Sequence, residues 1–264
     1  MIVDLSFLRA GTSRQGDTLE LGFTGFGKEV PAWARSVSAW LPGDRPDEAE
    51  RWTKELRDAG TDFRFLFPER YHAPSREARR LFAGKEAGDP IHLHVRVQAR
   101  PDNLLHDPRR APQEWLRDPV LNRLPLAVWM QGPVHEVRLL SSSRETGCAC
   151  VVLLRHADPN RMSILEWSVS PDFAPGIADG FEATGRDGFL RVNGIWHEPW
   201  FRPRLVLHRG ALETGRRDLP RDMESTAAAA AKAHHPSRKQ TARSHALAAM
   251  YLDACRRVAL VTER

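Results

Sequence analysis

The chain has 264 residues, 41% hydrophobic and 28% charged, with a formal net charge of +5 and a pI of about 9.5. Such a composition is ordinary for a globular protein of one large or two small domains, long enough to bury a real core. No window approaches the roughly 18 uninterrupted apolar residues of a membrane helix. Basic residues are scattered without an aromatic-interleaved stripe, so neither a membrane nor a nucleic acid is an expected partner. The opening MIVDLSFLRAG lacks a basic stretch followed by an apolar run, and is not read as a secretory signal. Cys148, Cys150 and Cys255 make no disulfide framework, so the expected compartment is a reducing cytoplasm.

In chain order, Asp17 to Phe23 alternates like a strand and meets Gly22, Gly25 and Gly27. Lys28 to Ala34 reads as a short helix and Arg35 to Leu41 as a strand, closed by the turn Pro42-Gly43-Asp44. Asp47 to Ala59 is an amphipathic helix with Ala49, Trp52 and Leu56 on one face and Gly60 as its stop. Asp62 to Phe67 is a strand. This β-α-β-α-β order predicts the parallel part of an α/β sheet.

A helix is predicted over Ser75 to Ala83, then a cleanly alternating strand from Pro90 to Arg100. Ile91, Leu93, Val95 and Val97 share its apolar face; His92, His94, Arg96 and Gln98 share the other. Pro101 to Gln113 reads as a loop, and Pro119 to Met130 as a buried helix ending at Gly132. Strands are expected at Val134–Leu140, Cys148–Arg155, Met162–Val169, Phe181–Thr184 continuing through Gly188 to Val192, and Arg204–His208. These suit a large mixed or antiparallel sheet with one covered face. Thr241 to Leu260 is a strong amphipathic helix carrying Leu247, Met250, Tyr251, Ala254 and Val258.

Several clusters are candidates for chemistry. Asp118 and Asn122 stand one turn apart with Arg123 beside them; Asp118 either caps the helix or lines a pocket. Arg70, Tyr71 and His72 form a polar group on a loop after a strand, where α/β proteins gather ligands. His92, His94 and Arg96 share a strand face, yet no acidic or cysteine partner lies close in sequence, so no metal is expected there. Cys148 and Cys150 face one way and read as core. Of Glu166 and Trp167, one belongs in the core and one near a pocket or interface. Trp196, His197, Glu198 and Trp200 suit a lid or subunit contact.

Five segments, taken in order, carry a family resemblance. They are Asp47–Phe67, the loop Arg70-Tyr71-His72-Ala73-Pro74, Phe82–Arg96, Asp118–Val137 and the strand pair Phe181–Gly194 (FEATGRDGFLRVNG). Together they resemble the glucose–fructose oxidoreductase/inositol dehydrogenase/MocA (Gfo/Idh/MocA) oxidoreductase family. The resemblance implies an α/β (α+β) fold: a remnant of a parallel nucleotide-binding-type sheet, then a large, mostly antiparallel open sheet covered by helices on one face. Residues 1–68 would be a truncated Rossmann-like remnant and 69–264 the substrate and oligomerisation domain.

The departures from the family pattern bear on function. A full member carries Gly-x-Gly-x-x-Gly in its first βαβ unit, holding a dinucleotide pyrophosphate; Gly22–Gly27 (GFTGFG) has another order. The family's Glu-Lys-Pro lysine falls on Trp40. Its Asp-x-Gly-x-His falls on Asp118 to Asn122, so the relay histidine is Asn122, which is no general base near neutral pH. The resemblance therefore implies the fold without the usual hydride transfer. The expected function is a cofactor-independent enzyme doing isomerisation, elimination or cyclisation on a small hydroxylated or carbonyl metabolite. Asp118, His72 and Tyr71 would act as acid/base groups, with Arg70, Asn122, Arg123 and Trp40 around the substrate. One alternative is a non-catalytic paralogue partnering a full-length oxidoreductase; another is a nicotinamide-dependent enzyme with an atypical cofactor site. A homo-oligomer through the open sheet face is expected.

Overall fold

The computed structural model describes residues 13–15, 18–21, 30, 34–67, 73–99, 112–144, 147–170, 177–193, 204–209, 212–218 and 238–262. The expected strand at the start is β2 (Thr18–Leu21), preceded by a short β1 (Ser13–Gln15) that the sequence pattern does not flag. Then come β3 (Ser36–Trp40), α1 (Pro46–Asp58) and β4 (Asp62–Leu66). Strand order is β1-β2-β3-β4; β2, β3 and β4 are parallel neighbours and β1 runs antiparallel to β2. Of the short helix expected over Lys28–Ala34, only Val30 and Ala34 are described, and neither is helical.

Why α1 forms there is plain in its residues. Pro46 pre-sets the first turn, and Asp47 and Glu48 favour the helix amino end. Ala49, Trp52 and Leu56 are buried, as their spacing requires. Gly60 takes the left-handed conformation at φ 67°, and the Thr61 amide reaches back to the Leu56 carbonyl at 2.9 Å, closing the helix.

The second sheet has eight strands in the order β12-β11-β10-β9-β5-β8-β7-β6. They are β5 (Pro90–Ala99), β6 (Val134–Arg144), β7 (Gly147–His156), β8 (Met162–Val169), β9 (Ile177–Gly185), β10 (Phe189–Asn193), β11 (Arg204–Arg209) and β12 (Leu212–Asp218). β5 and β8 are parallel; every other neighbouring pair is antiparallel. The segment from Phe181 to Val192 is a hairpin of two strands, and β12 was not expected. α2 (Ala73–Ala83) precedes β5, and α3 (Pro112–Gln131) precedes β6.

α3 covers one face of this sheet. Leu93, Val95 and Val97 of β5, Cys148, Cys150, Val152 and Leu154 of β7, and Leu165 and Trp167 of β8 are buried beside Leu124, Ala127 and Val128. The expected alternation fails once: Ile91 is 40% exposed. It lies where the β5–β9 register shifts between Pro90 and His92, so the strand start has left the covered area. The closing helix α4 (Arg238–Thr262) touches both sheets, against β4 and β6. Its Leu247, Tyr251, Ala254 and Val258 are buried and Met250 packs at the margin.

Candidate functional site

β3 and β4 end side by side, with Trp40 paired to Leu66. In open α/β sheets the crevice outside such carboxyl ends is where ligands bind. Beyond β3 the chain turns through Leu41, Pro42 and Gly43. The Tyr251 hydroxyl of α4 donates to the Leu41 carbonyl at 3.3 Å. Gly43 is hemmed in from two helices: a Cβ there would stand 2.6 Å from Tyr251 Oη, 3.0 Å from Cys255 Sγ and 3.2 Å from Leu121 Cβ. Glycine is the residue that permits this approach, and it seats the middle of α3 against the turn after β3.

Asp118, Leu121, Asn122 and Arg123 therefore lie on the helical segment that meets the carboxyl end of β3, at which Trp40 is the last residue. Arg123 is partly buried. The side chains of Trp40, Asp118 and Asn122, and all of Arg70, Tyr71 and His72, lie outside the described residues; so do Trp196, His197, Glu198 and Trp200. One reading of Asp118 is corrected. It is the seventh residue of a helix beginning at Pro112, so it does not cap that helix.

The turn from β3 to α1 is not the first βα turn, where the resemblance would place a pyrophosphate, and its own residues do not suit one. Gly43 is filled against Tyr251 and Leu121, and the first turn of α1 carries Asp47 and Glu48, which repel phosphate. The glycine-rich stretch Gly22–Gly27 lies outside the described residues.

The open face of the large sheet holds a network that sequence spacing missed. Glu166 of β8 accepts from His94 Nε2 and Arg96 Nε of β5, each at 3.0 Å on the same carboxylate oxygen. Parallel pairing sets Arg96 opposite Glu166, so the acidic partner absent from the neighbouring sequence arrives from 70 residues away. The alternation of MSILEWSV was the available signal: Trp167 is buried and Glu166 is on the open side. Glu182–Arg191 and Glu136–Arg155 pair at 2.6 and 3.0 Å. Burial, and then the charge of His94, lower the pKa of His92. Among the described residues no group of three His, Cys, Asp or Glu side chains is placed to hold a metal ion.

Two further groups are structural. Cys148 and Cys150 are buried as expected; burial pushes both thiols up, Cys150 to about 11, so neither is a ready nucleophile. His156 is engaged at both nitrogens, 2.9 Å from the Gly132 carbonyl and 2.8 Å from Ser163 Oγ, and burial lowers its pKa.

Two sheets in this order, with helices on one face of the larger and a parallel run in the smaller, define an α/β fold. No family model and no curated protein sequence matches the chain. Solved structures do. The 3-ketoreductase KijD10 from Actinomadura kijaniata, in complex with TDP-benzene and NADP in an open conformation, is 19% identical with a TM-score of 0.57, over 85% of this chain and 70% of that one. An NAD binding oxidoreductase from Klebsiella pneumoniae is 13% identical with a TM-score of 0.60, over 88% and 72%. An oxidoreductase from Agrobacterium radiobacter, in complex with NAD+, L-tartaric acid and magnesium, is 14% identical with a TM-score of 0.55, over 85% and 71%. The fold is shared with NAD(P)-binding oxidoreductases and is consistent with the Gfo/Idh/MocA architecture. No helix among the described residues is long and apolar enough to cross a membrane.

Proposed function

We propose that the chain is a Gfo/Idh/MocA-like protein, with residues 1–68 part of a Rossmann-like sheet and 69–264 the substrate domain, that performs redox-neutral chemistry without a nicotinamide. The substrate class is a small hydroxylated or carbonyl metabolite. The observation that carries this reading is the junction at Gly43. It brings the Asp118–Arg123 segment of α3 to the carboxyl end of β3, with Asn122 and Trp40 where the family resemblance expects a histidine and a lysine. In this reading Asp118, His72 or Tyr71 removes a proton from the carbon beside a carbonyl, and another of the three returns one elsewhere. Arg70, Asn122 and Arg123 orient the substrate oxygens and Trp40 walls the pocket. A proton leaves one carbon and enters at another, so no electron acceptor is consumed. Three unpaired cysteines suit a reducing cytoplasm.

Native mass spectrometry of the purified chain tests this by identifying a carried-over metabolite, which then serves as substrate. Asp118→Asn is expected to lower its turnover by about 100-fold or more. Unchanged turnover would remove Asp118 from the acid/base roles. A second reading is favoured by the NADP and NAD+ bound in the structural neighbours: an oxidoreductase with an atypical or partner-supplied cofactor site. We also propose a homodimer through the open face of the large sheet, whose alternating Arg and Glu pairs around His94 suit a wet, self-complementary contact. Light scattering that returned a monomer mass at tens of micromolar would exclude it.

A further inference from the structure

The small sheet has a second end. β4 starts at Asp62, just after α1 stops, and the first half of α4 lies across it. Between them is a groove of about 670 Å3 lined by Arg57, Asp62, Thr241 and His245, with Ala242 and Ala246 as small-residue walls. β4 is five residues long, so this groove lies roughly 15 Å from the carboxyl-end crevice at 3.3 Å per residue. It shares none of the residues assigned to the candidate active site.

Its polar groups are set in a definite order. Arg57 is exposed on one rim, in the last turn of α1. Thr241 donates to Asp62 Oδ1 at 3.2 Å, and among the described residues no bond to Asp62 Oδ2 is made, so it can accept from an occupant. Thr241 is the fourth residue of α4, so the amino-terminal turn of that helix, with its unpartnered amides, adjoins the groove. His245 is 8% exposed and its ring packs on Phe63 in a tilted arrangement, 4.8 Å between centroids and 34° between planes. Among the described residues neither ring nitrogen of His245 has a hydrogen-bond partner. A polar ring rarely stays buried without a partner.

We infer that this groove binds a small hydroxylated anion, a sugar phosphate or a sugar-acid carboxylate, at a site separate from the candidate active site. Arg57 and the first-turn amides of α4 receive the anionic group, as helix amino ends commonly do. Asp62 accepts from a hydroxyl, and His245, after a small turn of its ring, supplies one donor and one acceptor. Burial, and then the positive charge of Arg57, lower the pKa of His245, which favours the neutral ring. An anion seated beside it raises that pKa again.

Calorimetric titration of the full chain with glucose 6-phosphate, gluconate and neutral glucose tests the inference, with NMR of the His245 ring read in parallel. Saturable binding of at least one anion, no binding of glucose and a rise in the His245 pKa are expected. A phosphate ester that binds alone assigns the phosphate class, and gluconate alone the carboxylate class. Arg57→Gln and His245→Phe are each expected to weaken binding by about tenfold, while Asp118→Asn leaves it unchanged. If His245→Phe does not fold, the exposed Arg57→Gln decides. Absence of saturable binding of both anions below about 10 mM, or equal affinity in Arg57→Gln, overturns the site and leaves the proposed activity untouched.

Discussion

Gly185 ends β9 where α2 and the turn before β5 come closest. A Cβ there would stand 2.0 Å from the Ala87 carbonyl oxygen and 2.8 Å from Phe82 Cε1, so backbone itself is in the way. Gly185→Ala is expected to cost about 3 kcal/mol or more, read as a lowered urea midpoint; a loss under about 0.5 kcal/mol would show that the turn gives way freely. Legibility differed from residue to residue. Cys148 and Cys150, and Leu93, Val95 and Val97 of β5, were placed correctly by period-two alternation, which left open whether Glu166 or Trp167 enters the core. The partnership of Glu166 with His94 and Arg96 was not, because parallel register across 70 residues leaves no local mark. Ile91 was misplaced because alternation says which face a residue takes, and a bulge decides how far that face is covered.

Among elements, α1, β8 and α4 were legible because each has an unbroken period and clear stops. α3 was read too short. Pro119 and Asp118 looked like a helix start, yet the helix runs from Pro112 straight through Pro119 and Pro125. Packing between the β3–α1 turn and the large sheet holds it despite the missing amide donors. β12 escaped notice because LETGRRD is polar and pairs with β11 across a shifted register. The candidate residues were legible only as a list; that the middle of α3 packs on the turn after β3 depends on Gly43 and α4, which no motif flagged. α4 is the clamp. Its Tyr251 stacks on Phe65 at 5.2 Å and holds Leu41, while Arg256 bonds Asp47 at 2.7 Å and Arg257 the His135 carbonyl at 2.8 Å. Tyr251→Phe keeps the stacking and is expected to cost about 1 kcal/mol; Tyr251→Ala, which also opens a cavity, about 3–5 kcal/mol. A Tyr251→Phe variant with an unchanged urea midpoint would contradict the assignment of the hydroxyl to Leu41.

At the scale of the whole molecule, three histidines set a pH response in one direction. Burial lowers the pKa of His92, His156 and His245 below the ordinary 6.5. Above 6.5 both folded and unfolded chains hold these rings neutral. As pH falls through 6.5 the unfolded chain takes up protons that the folded chain refuses, so stability drops until the folded values are passed. The urea midpoint is expected to fall between pH 7.5 and about 5.5, and less so in His156→Gln; a flat or rising midpoint across that window would contradict the burial of these rings.

The fold over 85% of the chain is shared with proteins solved with NADP or NAD+, while the proposed reading puts Asn122 and Trp40 where the family resemblance expects a histidine and a lysine. Calorimetric titration of the purified full chain with NADPH and NADH is the direct test. The account predicts no saturable binding of either up to about 1 mM; a one-to-one isotherm with micromolar Kd for either cofactor would contradict it and establish the nicotinamide-dependent reading in its place.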